Sequence, residues 1–121
     1  MRRILTVALG MIGAPAFAAG ACLSPDEARI GALTSVRHQM LNQSWLTFYL
    51  LKLPKKSCVT DVDGDRHDDQ IEIGLFPRDQ KQIARLVGKK VHIDGDGPQV
   101  GDTQYNIRDL TFQNAVAVPI H

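Results

Sequence analysis

Ile71-Glu72-Ile73-Gly74-Leu75-Phe76-Pro77-Arg78-Asp79-Gln80-Lys81-Gln82-Ile83-Ala84-Arg85-Leu86-Val87-Gly88-Lys89-Lys90-Val91-His92-Ile93-Asp94-Gly95 changes its apolar period twice. Ile71, Ile73 and Leu75 alternate with Glu72 and Gly74, the two-residue repeat of a half-buried strand. Pro77 starts a helix: Ile83, Leu86 and Val87 fall on one side of it, and Gly88 stands where a helix C-cap belongs. Val91 and Ile93 then alternate with His92 and Asp94, which predicts another strand.

Further strands lie on both sides. Trp45 to Leu53 is aromatic-rich and apolar on both faces, and Pro54 ends it, as expected of a central strand. Tyr105 to Val118 supplies one or two last strands. Its inward set shifts from Tyr105 and Ile107 to Leu110 and Phe112, which predicts a bulge near Arg108-Asp109. Asp94-Gly95-Asp96-Gly97-Pro98 reads as a tight hairpin turn. Ser24-Pro25-Asp26-Glu27 is a helix start, with Ser as N-cap, Pro at the first helical position and Glu three after the cap. Ala28 to Leu41 can continue that helix. Arg29 to Val36 can equally form a first strand with Ile30, Ala32 and Leu33 inward, and we adopt one turn at 25–28 followed by the strand.

The resulting order is strand, strand, strand, helix, strand, strand. A mainly β barrel of five to six strands with one helix between strands three and four is the oligonucleotide/oligosaccharide-binding (OB) architecture. The alternative is a small β-sandwich with an accessory helix.

Residues 1–18 read as a secretory signal peptide. Arg2 and Arg3 precede the apolar run Ile4 to Ile12, and Ala16-Phe17-Ala18 offers a small-x-small cleavage pattern. Cleavage after Ala18 leaves a single domain, 19–121, in the periplasm or outside the cell. A lipoprotein cleaved before Cys22 is the alternative, although the usual leucine three residues earlier is absent. The apolar run is too short for a spanning helix. The chain carries 14 basic and 13 acidic residues; without Arg2 and Arg3 the balance is 12 − 13 = −1. No basic excess marks a nucleic-acid binder. In an oxidising compartment Cys22 and Cys58 are expected to form one disulfide, worth about 4 kcal/mol on the chain-entropy model.

Certain spacings resemble a family of small exported bacterial proteins of unknown function. They are Gly31-x-Leu33, Tyr49-x-Leu51-x-Leu53, Cys58-Val59, Ile71-x-Ile73 and Gly88-Lys89-Lys90-Val91-x-Ile93-x-Gly95. The resemblance spans about residues 22–115 and implies an OB-like barrel, a cysteine pair and export. It implies no activity. Many members carry a histidine-rich stretch after the Gly-Lys-Lys-Val strand; here Val100-Gly101-Asp102-Thr103-Gln104-Tyr105 stands instead.

Asp61-Val62-Asp63-Gly64-Asp65-Arg66-His67-Asp68-Asp69 concentrates acid in one short stretch. Clustered carboxylates repel one another, and a hard cation such as Ca2+ relieves that repulsion. The expected ligands are the carboxylates of Asp61, Asp63, Asp65 and Asp69, the His67 carbonyl and Glu72. Strands rather than helices flank the stretch, unlike an EF-hand. A solvated hairpin loop is the competing reading. Trp45 and Tyr49 are candidate ligand-binding aromatics, since aromatics on strands two and three of OB barrels stack on bases or sugars. Core packing is the alternative, and Trp45, beside Ser44, is the ring expected at the surface.

His38, His67, His92 and His121 show no metal-ligand spacing, and no nucleophile-elbow, Walker or Rossmann pattern occurs. The expectation is a non-enzymatic periplasmic binding module, stabilised by calcium, that recognises a protein or an envelope glycan. The alternatives are an inhibitor or immunity protein against a wall-degrading enzyme, a structural envelope-stress protein without a ligand, and a hydrolase.

Overall fold

The computed structural model describes residues 21–101 and 108–121. A 3-10 turn at Glu27–Arg29 leads into β1 (Ile30–Gln39) and β2 (Trp45–Thr60). There follow β3 (Arg66–Pro77), α1 (Gln80–Ala84), β4 (Lys90–Val100) and β5 (Leu110–Pro119). The strands close a barrel in the order β1-β2-β3-β5-β4, with β4 returning to β1. β3 and β5 run parallel, and every other pair is antiparallel. This is the expected OB-like barrel, with its helix between β3 and β4, and not a sandwich. Residues 1–18 and the inward pair Tyr105 and Ile107 lie outside the described residues. Among the described residues no helix is long and apolar enough to cross a membrane.

The barrel interior is filled by Leu33, Leu51, Ile73, Ile93, Leu110 and Phe112, each wholly buried, with Ile83 of α1 packed among them. Arg29 lies against this core with its guanidinium 5.1 Å from the centre of the Phe112 ring. It donates to the carbonyls of Ile93 (2.9 Å) and Gly97 (3.2 Å), so its charge is hydrogen-bonded as it leaves water. Cys22 and Cys58 form the expected disulfide. Beside it Leu23 lies parallel to Val59, donating to Cys58 O and accepting from Thr60 N, both at 2.9 Å.

Local sequence and tertiary structure disagree at several places. The Ser24 and Glu27 capping box forms as expected: the Glu27 amide donates to Ser24 Oγ, and the Ser24 amide to Glu27 Oε1. As the adopted reading has it, a single turn is followed by a strand, because residues 32–39 gain a continuous ladder with 45–52. Within β1 Leu33 faces inward as expected, together with Gly31, while Ile30 and Ala32 face outward, contrary to expectation. Pro54 does not end β2. The pairing with β3 is irregular between Lys52 and Ser57, and a proline is tolerated where the ladder is already broken. At that irregularity Gln70 is buried and Ile71 is 44 % exposed, whereas Ile73 and Leu75 face inward as expected. The helix is only five residues long and is capped by Asp79, whose side chain accepts from Lys81 N; Pro77 belongs to β3. Val87 is correspondingly exposed.

The Asp94–Pro98 segment is no hairpin turn. It lies inside β4, whose pairing with β5 shifts on either side of Asp96. Gly95 and Gly97 have φ of +139° and +138°, and β5 backbone crosses close above both. Two bulges bend β4 round the barrel there. The bulge expected near Arg108-Asp109 rests on Tyr105 and Ile107, outside the described residues; Arg108 and Asp109 precede β5, and within the strand an irregular step falls between the Phe112 and Ala115 pairings, where Asn114 has φ +51°.

Candidate functional site

Two regions bring chemistry-bearing residues to the surface: the acidic turn and the hairpin joining β1 to β2. The acidic stretch divides between two structures. Asp61 to Asp65 form the β2–β3 turn, whereas His67, Asp68 and Asp69 are already in β3. Asp61 is 2 % exposed. Its Oδ1 accepts the amides of Asp63 (2.8 Å) and Asp65 (3.0 Å), and its Oδ2 lies 2.8 Å from His67 Nε2. The hydrogen bond to His67 chiefly holds this carboxyl below its ordinary pKa of 3.8; burial pushes the other way, and the Asp65 and Asp63 amides add to the lowering. Both carboxylate oxygens thus brace the turn.

The remaining expected calcium ligands do not converge on Asp61. Asp63, Asp65 and Asp69 are exposed. Glu72 Oε1 accepts from Arg108 Nε (3.0 Å) and NH2 (2.8 Å). That pair belongs to a polar groove of about 350 Å³ bordered by Asp69, Gln70, Ile71 and Asp109. Among the described residues no three His, Cys, Asp or Glu side chains form a group that could hold a metal ion. The sequence spacing matches a cation loop, but this backbone path spreads the six residues over a turn, a strand edge and a groove.

Asp61→Ala is expected to lower stability by about 2 kcal/mol, since it leaves two turn amides and His67 without their acceptor. The contribution also has a pH sign. The folded-state pKa is lowered, so the stabilisation is complete above the unfolded value and disappears as pH falls through the folded one. Urea midpoints should therefore drop in the wild type as pH falls through the ordinary value of 3.8 and below it. The drop should be smaller in Asp61→Asn; equal slopes in the two proteins would remove Asp61 from this role.

The hairpin is the second region. β1 pairs with β2 along its length to Gln39↔Trp45, but meets β4 only at residues 30–32. On the other side, β2 pairs with β3 from Tyr49 onward. Among the described strands, residues from about 34 to 48 therefore pair only with each other and form a two-stranded arm, in which Met40 and Phe48 are nonetheless buried. Leu41 at its tip is 91 % exposed and Trp45 54 %, with Val36 and Leu46 also open to solvent. The Arg37 guanidinium stacks 5.3 Å from the centre of the Trp45 ring. Tyr49, the other expected ligand-binding aromatic, is 7 % exposed and belongs to the core cluster. It sits where β3 begins to cover β2, and an apolar strand sequence carries no mark of where its neighbour starts.

No protein-family model, curated protein or solved structure matches the chain.

Sequence reasoning placed Trp45 at the surface but missed the arm. One signal was available: between Glu27 and Asp61 there is no acidic residue, while Arg37, Lys52, Lys55 and Lys56 lie in that interval. Thirteen carboxylate side chains are thus confined to the rest of the chain, and β1 with β2 forms a cationic, partly apolar unit.

Proposed function

We propose that the protein is a non-enzymatic, exported binding module of the periplasm whose contact surface is the β1–β2 arm. The carrying observation is the exposure of Leu41, Trp45, Leu46 and Val36 on this one arm. Large apolar side chains grouped at the surface are costly in water and favour contact with another macromolecule. The Cys22–Cys58 bridge suits an oxidising compartment, in keeping with the export reading of residues 1–18. The resemblance to small exported bacterial barrels adds export and fold to this reading, not a ligand. A narrow arm enters a cleft more readily than it cradles a sugar chain, so a protein partner is favoured over an envelope glycan. An inhibitor or immunity role is one form of that reading. The reading does not rest on calcium: the Asp61 carboxylate is taken up by His67 and two turn amides.

The test is photo-crosslinking in an exporting bacterium, with benzoylphenylalanine placed at Trp45 or, as a control, at exposed Val62. A discrete adduct from position 45 alone, lost on Leu41→Ala/Leu46→Ala, is the expected result. No adduct from position 45 would leave a structural envelope protein without a ligand. Leu41→Ala/Leu46→Ala should itself change stability by only about 1 kcal/mol, because Leu41 is 91 % exposed and Leu46 39 %, and a thermal melt checks this.

A further inference from the structure

The arm has a feature that its side chains do not reveal. Leu33 N donates to Lys89 O (2.9 Å), and Leu33 O accepts from Gly88 N (2.8 Å), so the polar groups of Leu33 point away from β2. Met40 N, by contrast, donates to Ser44 O, toward β2. Main-chain groups alternate sides along a strand, so Ser35, Arg37 and Gln39 turn their N–H and C=O groups outward. β4 ends its pairing at Ala32↔Lys90, and no other described strand takes up this edge. Among the described residues the result is an unpaired strand edge with three donors and three acceptors in register. Such an edge is a template for another extended chain.

Charge selects the occupant. Arg37 lies at the centre of the edge, the exposed Lys89 and Lys90 stand at its barrel end, and no acidic residue lies anywhere on β1 or β2. A second copy using the same edge would bring two such cationic segments together, with their Arg37 side chains close to one another, and like charges on adjacent strands are unfavourable. We propose that the free edge of β1 receives an extended acidic segment of a partner protein. The segment adds antiparallel to Ser35, Arg37 and Gln39, on the line that β4 takes up at Lys90. Its main chain provides affinity, and its carboxylates, opposite Arg37 and beside Lys89 and Lys90, provide selectivity. This rests on the reading of the arm as the contact surface.

Trp45 is the only tryptophan in the chain and lies against Arg37, so its fluorescence reports on the edge. The probe is the peptide acetyl-Thr-Glu-Val-Glu-Val-Glu-Thr-amide, titrated into the disulfide-bonded protein. Saturable binding that shifts Trp45 emission is expected. It should weaken at least tenfold for the lysine-for-glutamate peptide, for a peptide N-methylated at alternate amides, and for Arg37→Glu. Gln39→Pro deletes one outward donor without touching the ladder to β2 and should also weaken binding, while Gln39→Ala should not. The N-methylated peptide keeps the test independent of any folding defect in the variants. No binding, or equal binding of the lysine or N-methylated peptide, overturns the proposal. So does sedimentation showing dimers that Arg37→Glu strengthens and Gln39→Pro abolishes. If position 45 crosslinks to a partner while the acidic peptide fails, the edge inference falls and the contact-surface reading stands; if both fail, both fall.

Discussion

Replacing Cys22 and Cys58 together by serine is expected to lower the unfolding free energy by about 4 kcal/mol. The bridge closes a loop with a sequence separation of 36, so the oxidised unfolded chain loses much of its freedom before folding begins. In the folded state the same bond anchors Leu23 beside Val59, next to the stretch of β2 where pairing with β3 is least regular. Without it, that strap is held by the two hydrogen bonds between Leu23 and the Cys58–Thr60 backbone and by the packing of Leu23 against the core. For a domain of this size each kcal/mol moves Tm by roughly 4–8 °C, so a loss near 20 °C is expected. Melting the protein with and without reductant, and melting the double-serine variant, should agree. A change below about 5 °C would show that the bridge restrains neither state appreciably.

Gly97→Ala is the second large effect, about 3 kcal/mol. Two independent costs add. The φ of +138° is a region that residues with a Cβ rarely adopt, and a methyl group there would sit 2.6 Å from Thr111 O and 3.0 Å from Phe112 Cδ1. The obstacle is strand backbone and a wholly buried ring, neither of which can swing aside. Moving β5 away would also disturb Arg29, which donates to Gly97 O and stacks on Phe112. Gly64→Ala separates the two costs: its φ is +89°, but nothing lies within 4 Å of the added carbon. It should cost about 1 kcal/mol, the conformational part alone. Urea unfolding of both variants tests the comparison, and equal losses would mean that strand approach at Gly97 contributes nothing.

Much of the architecture was legible in the chain. The change from a two-residue to a helical period and back over 71–95 anticipates β3, α1 and β4. The cysteine pair was readable from compartment and parity, and exposed Trp45 from its polar neighbour. The faces of strands were harder. Irregular pairing with β2 around Ser57 buries Gln70 and leaves Ile71 exposed, against what hydropathy alone argues, while Ile73 and Leu75 keep the inward face that their alternation predicts. Asp94-Gly95-Asp96-Gly97-Pro98 shows the same limit. Its glycines signal backbone freedom, but whether that freedom serves a turn or the close crossing of another strand depends on a partner distant in sequence.

The candidate site divides along the same line. Clustered aspartates point to a cation only if their oxygens meet. Here Asp61 turns inward to His67 and two amides, while Glu72 is held by Arg108 across the β3–β5 side of the barrel. Local order along the chain therefore determined most of the elements and their succession, because hydrophobic period and turn chemistry act between residues close in sequence. The tertiary structure alone decided which residues face inward, which carboxylates stand together and which strand edge is left open. Those depend on the register between segments, and register is set by backbone hydrogen bonds and close approaches that no single segment contains.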